Sequence, residues 1–96
     1  MIAYVTLTGC QHYLGVDDLA VGETVILNRD PKNEHDPNAI AVTDLEHQYL
    51  GYVANQDYTA LCGTMLADDL AEEDFDSYGR IEVIFSNCCI CKINIR

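Results

Sequence analysis

Leu27-Asn28-Arg29-Asp30-Pro31-Lys32-Asn33-Glu34-His35-Asp36-Pro37-Asn38-Ala39-Ile40-Ala41-Val42 is the stretch whose reading decides the fold. It opens on the end of an alternating run, Glu23–Arg29, in which Val25 and Leu27 face one side and Ile26 the other, the two-residue period of a strand. Asp30–Pro37 then carries two prolines, an asparagine and two aspartates. Proline fixes φ, and Asn and Asp side chains bond nearby backbone, so this is a stiff turn. Ala39–Thr43 resumes as a strand, and Tyr49–Val53 completes a hairpin with it across the polar Asp44–Gln48.

Outward from this centre, Ile2–Cys10 is rich in β-branched and aromatic residues and alternates, so it reads as a first strand. A loop begins at Gly15 and Asp17-Asp18 and ends near Gly22. Asn55 offers a helix N-cap, Tyr58, Leu61 and Cys62 keep helical spacing, and Gly63 stops that turn. Thr64 can cap a second helix with Met65, Leu66 and Leu70 inward and Asp68, Asp69, Glu72 and Glu73 in water. Arg80–Phe85 and Cys89–Ile95 form a last hairpin across Ser86–Asn87. The pattern predicts a mainly β (α+β) domain with one or two short helices, a small six-stranded barrel of OB-like or SH3-like type.

Ninety-six residues fit one domain, 1–96, and the 49% of hydrophobic residues suffices for one core. No stretch approaches the roughly 20 apolar residues that cross a bilayer. The N-terminus lacks a basic segment and cleavage site, so the expected location is cytoplasmic, with no membrane partner. Five cysteines, an odd set, read as free thiols in a reducing compartment.

Sixteen acids face five bases, a net charge of −11. Nucleic-acid binders usually cluster Lys and Arg to neutralise phosphates. Here Arg29, Lys32, Arg80, Lys92 and Arg96 are scattered, while six acids crowd into 68–76.

The Leu27–Val42 run resembles the central signature of HIRAN domains: a strand, an acidic residue with proline, an Asn, an aromatic-type position, an Asp, an Asn-Ala-Ile step and Val. Gly51-Tyr52-Val53 resembles the family's next block, and His12-Tyr13-Leu14-Gly15 sits where members have an aromatic pair before Gly. The likeness runs from about Val5 to Leu61. It implies an OB-like barrel, an accessory module of helicases that rescue stalled replication forks, which captures the unpaired 3′ end of single-stranded DNA. By the same resemblance Asp36 corresponds to the residue that bonds the terminal 3′-hydroxyl, Asn33 to a polar contact and His35 to an aromatic position. Tyr52 stands where helicase-borne members carry His, Gln11-His12 stands for an Arg-Tyr pair, and Asn55 stands for a basic residue. These departures resemble the short stand-alone members of bacteria and phages. The implied interface is Asn33, His35, Asp36, Tyr52, His12, Tyr13 and Asn55, with no cofactor.

Each motif also has a plainer reading. Asp36 and Asn38 can simply close the turn on backbone amides. The aromatic set His12, Tyr13, His35 and Tyr52 can stack bases, yet each tyrosine alone reads as a half-buried strand residue with a wet hydroxyl. Cys88 and Cys91 have C-x-x-C spacing, but a strand turns them to opposite faces and no second pair follows, so small buried residues explain them better than a metal site. The acidic run lacks the spacing of a calcium loop and reads as a solvated face. Nucleophile elbows, phosphate-binding loops and metalloprotease motifs are missing, so no catalysis is expected. Two function classes remain: a DNA end-binding module, working alone or beside a helicase, and an acidic protein-interaction or scaffold domain without DNA binding.

Overall fold

The computed structural model describes residues 1–10, 13, 17 and 19–96. Six strands run β1 Ile2–Thr8, β2 Thr24–Arg29, β3 Ile40–Thr43, β4 Tyr49–Val53, β5 Tyr78–Ile84 and β6 Cys89–Asn94. All pair antiparallel and close into a barrel in the order β1-β4-β3-β2-β5-β6. Closure satisfies both edges of the sheet, which an open six-stranded sheet would leave available for pairing with other chains.

The alternation that marks the strands also fills the barrel. Ala3, Val5 and Leu7 of β1, Val25 and Leu27 of β2, and Cys89, Cys91 and Ile93 of β6 are buried together with Ile40, Val42, Leu50 and Ile81. Each fully buried aliphatic side chain contributes on the order of 1.5–3 kcal/mol. Val25 and Leu27 point inward and Ile26 does not, as the alternation requires. The last hairpin turns at Ser86–Asn87, where the Phe85 N–H donates to the Cys88 carbonyl at 2.8 Å.

The barrel matches expectation, and of the one or two short helices expected, one forms among residues 19–96, as a 3-10 turn. Residues 55–66 form turns and a short bridge, and the second expected helix is a single 3-10 turn, Ala67–Leu70. The reason is tertiary. The Met65 N–H donates to the Tyr4 carbonyl at 2.8 Å, and Met65 bridges Val5 in parallel. The buried Thr6 hydroxyl accepts from the Leu61 N–H at 3.0 Å and shares a hydrogen bond with Thr64 at 2.9 Å. A segment stitched to β1 in this way cannot also satisfy its own i→i−4 ladder, so weak helical spacing gives way. The exposure of Asp68, Asp69, Glu72 and Glu73 and the burial of Leu70 are nevertheless as expected. No helix among the described residues is long and apolar enough to cross a membrane.

The β3–β4 hairpin carries an irregularity that shapes the surface. Thr43 pairs with Tyr49, Val42 with Gly51 and Ala41 with Tyr52, so Leu50 is an extra residue, a β-bulge. Gly51 lies against β1, where a Cβ would run into the Thr8 carbonyl oxygen and come within 2.9 Å of Leu7 Cδ1. Glycine lets the two backbones approach this closely.

Candidate functional site

The loop from Asp30 to Ala39 is built from Asx chemistry. Its base is clasped where the Asp30 N–H donates to the Ala39 carbonyl at 2.8 Å. Asn33 organises the middle: its Oδ1 accepts the N–H groups of His35 at 2.9 Å and Asp36 at 3.1 Å, and its Nδ2 donates to Asp30 Oδ2 at 3.2 Å. Asp36 Oδ1 accepts the Asn38 N–H at 2.9 Å. The turn-closing reading of Asp36 is therefore realised. For Asn38 the partner differs, since its amide donates to Asp68 Oδ1 at 2.9 Å.

Asn55 joins this loop to the acidic segment. Its Nδ2 donates to Asp36 Oδ2 at 2.6 Å and to Asp68 Oδ1 at 3.0 Å, and its Oδ1 accepts the Asp68 N–H at 2.7 Å. Both amide protons are spent, so Asn55 works as a brace rather than as a free donor. The same asparagines hold the Asp68 carboxyl below the usual range, Asn38 first and Asn55 next. Asp36 keeps capacity of its own. A carboxylate offers about four acceptor sites, two of which are taken here.

Tyr13, Asn33, His35, Asp36, Ala39, Tyr52 and Val53 line one open cleft of about 400 Å³. Five of the seven sequence-expected residues thus share it, Asn55 reaches it through Asp36, and His12 lies outside the described residues. His35 is exposed, while Asn33, Asp36 and Tyr52 are partly buried. The Tyr52 hydroxyl points at Asp30 Oδ2 across 3.4 Å, a long contact. Burial raises the Tyr52 phenol above its usual value, and Tyr13 and the Asp30 carboxylate push the same way.

Sequence reading missed Tyr49. Strict alternation would send Tyr49 and Tyr52 to opposite faces of β4, because they are three residues apart. The bulge changes that: their partners Thr43 and Ala41 are two apart on β3, so both tyrosines share a face. Tyr49 stands 6.0 Å from Tyr13 and 6.4 Å from Tyr52 between ring centroids, edge to face with each. The signal that could have found it is Gly51 inside a strand, a common mark of a bulge.

Cations are scarce around the cleft. Arg29 donates to the carbonyls of Leu70 at 2.9 Å and Glu73 at 2.6 Å and lies 4.6 Å from the Phe75 ring centroid. Lys92 pairs with Glu82, and Arg96 with Asp74 and Asp76. Among the described residues Lys32 and Arg80 form no ion pair, and only Lys32 belongs to the cleft's loop. No group of His, Cys, Asp and Glu among the described residues is arranged to hold a metal. Cys89 and Cys91 lie in the core with Cys10, and burial pushes the Cys91 thiol up to about 12.

Comparison with solved structures gives two similar barrels. One is the crystal structure of the HIRAN domain of human HLTF, with a TM-score of 0.73 and 22% identity over 98% of this chain and 74% of that one. The other is a protein from Lactobacillus plantarum, with a TM-score of 0.62 and 25% identity over 100% of this chain and 98% of that one. No curated protein matches the chain. The HIRAN domain family model matches residues 2–72, which include β1 to β4, the Asx loop and the bulge. The chain belongs to the HIRAN domain family.

Proposed function

We propose that this domain is a non-catalytic DNA-binding module that captures the unpaired 3′ end of single-stranded DNA, in the cytosol and in the service of repair or replication-fork processing. One observation carries the reading: Asn33, His35, Asp36, Tyr52 and Tyr13 converge on a single cleft. Asp36 accepts a hydrogen bond from the terminal 3′-hydroxyl through its unused lone pairs. Asn33 has one amide proton to spare for a base or sugar oxygen, since its other proton is on Asp30. Tyr13, Tyr52 and the exposed His35 supply ring faces for the terminal base, each stacked base being worth about 1–3 kcal/mol.

The carboxylates of Asp30, Asp36 and Asp68 support hydroxyl and base contacts over phosphate contacts, because phosphate would be repelled there. A terminal nucleotide tolerates this better than a long backbone tracked through a groove. The test is fluorescence anisotropy with matched oligonucleotides ending in a 3′-hydroxyl or a 3′-phosphate. Binding of the hydroxyl form alone, weakened by Asp36→Ala, is expected; equal binding of both forms defeats the proposal.

The same carboxylates favour a second reading, an acidic surface for a basic protein partner. Neutralising Asp68, Asp69, Glu72 and Glu73 should then release that partner in a pull-down, and unchanged recovery argues against it.

A further inference from the structure

The row Tyr13–Tyr49–Tyr52 extends beyond the cleft. Tyr13 and Tyr52 line the cleft, whereas Tyr49 touches both rings and lies outside the lining. Tyr49 is 48% exposed and Tyr13 42%, so the row is a continuous aromatic surface open to water. A single half-exposed tyrosine on a strand needs no special explanation, its ring packed and its hydroxyl in water. Here an extra residue in β4 turns Tyr49 onto the cleft face, where two edge-to-face contacts fix its ring without covering it.

From this we infer that Tyr49 is a base-stacking residue for the nucleotide next to the terminal one, so that the unit recognised is at least a dinucleotide with unpaired bases. The inference rests on the DNA-end reading above and adds a residue and a footprint to it. The chemistry fits the local charge. A site flanked by Asp30, Asp36 and Asp68, with Lys32 as the one cation in its loop, gains little from each added phosphate. Affinity that grows with ligand length must then come from ring faces, and Tyr49 offers the face beside the pocket.

The experiment is a competition titration of the full chain with 3′-hydroxyl oligothymidylates of one to four nucleotides. Wild type is compared with Tyr49→Leu and Tyr49→Phe, and thermal melting establishes that each variant is folded. Tyr49 is exposed, so the variants are expected to melt like wild type. Wild-type affinity should step upward once a second nucleotide is present. Tyr49→Leu should lose about 5- to 150-fold on the longer ligands and nothing on the mononucleotide, while Tyr49→Phe retains the step.

Three results overturn the inference. Wild type that binds no oligonucleotide sinks the DNA-end reading and this one with it. Wild type that binds while Tyr49→Leu matches it at every length leaves the DNA-end reading standing and removes Tyr49 from it. An equal loss at every length, mononucleotide included, makes Tyr49 a brace for Tyr52 and not a second stacking ring.

Discussion

The Asn55 side chain holds Asp36 in place: its Nδ2 donates to Asp36 Oδ2 at 2.6 Å while sharing Asp68 Oδ1 at 3.0 Å. A neutral amide between two carboxylates separates their charges and fixes the one that faces the cleft. Asn55→Ala removes three hydrogen bonds to or from Asp36 and Asp68. We expect a loss of about 1–2 kcal/mol, because bonds to charged groups exceed neutral ones and this site is partly wet. Urea unfolding measures it. Asn55→Asp should be worse than Asn55→Ala, since it sets a third carboxylate among two; a milder effect would refute the bracing role.

Gly51→Ala should be among the most damaging small substitutions in the chain. The new methyl group would meet the Thr8 carbonyl and Leu7 Cδ1, and β1 and β4 would have to part. Overpacking of this kind costs about 1–3 kcal/mol, read as a drop in Tm. A Tm equal to wild type would mean that the two strands are not held as closely as described.

Binding should depend weakly on salt. Single strands show a slope of about −0.7 in log K against log salt for each phosphate neutralised, and the cleft's loop has one cation, Lys32. A slope near −0.7 is expected, falling toward zero in Lys32→Gln. A slope several times steeper would point to cations elsewhere on the barrel.

Acid should loosen the braced loop. The Asp68 carboxyl is held below its usual value by Asn38 and Asn55, and Asp76 is likewise lowered, chiefly by the hydrogen bond from Arg96. A folded-state value below the unfolded one stabilises the fold at pH above the unfolded value. That contribution is lost as pH falls from the ordinary Asp range, about 3.9, through the lowered folded values. Tm measured from pH 7 to pH 2.5 should fall at the acid end, and less so in Asp68→Asn. Identical acid profiles would remove Asp68 from the account.

Thiol reactivity should sort by position. Cys62 is exposed, whereas Cys10, Cys89 and Cys91 are buried; burial raises Cys91, and the hydrogen bond that Cys89 donates to Cys10, with burial, raises Cys89. A thiol-reactive chromophore should label Cys62 first, and Cys62→Ser should abolish that fast phase. Rapid labelling of the buried cysteines in the folded chain would contradict the packing of β6.

What was legible in the sequence follows from how far each interaction reaches. The strands and the Asx loop depend on neighbours within a few residues, so alternation found β2 to β4 and turn chemistry found the loop, within which the family resemblance singled out Asn33 and Asp36. The turns at 55–66 depend on Thr6 and Tyr4, about sixty residues away, and no local spacing reveals those bonds. The pairing of Asn55 with Asp68 is hidden for the same reason. Tyr49 escaped notice because a two-residue period carried through Leu50 puts it on the face opposite Tyr52, and only the bulge brings the two together.

The bulge at Leu50 has a use in reading other chains of this family. Tyr49-Leu50-Gly51-Tyr52 is, in effect, a four-letter word in which the first and last letters are spoken together, because the bulge absorbs one letter between them. A relative with an aromatic residue two places before this glycine and another just after it carries the spelling of a paired ring surface. One with a polar residue at the first letter does not, however closely the rest of its barrel agrees.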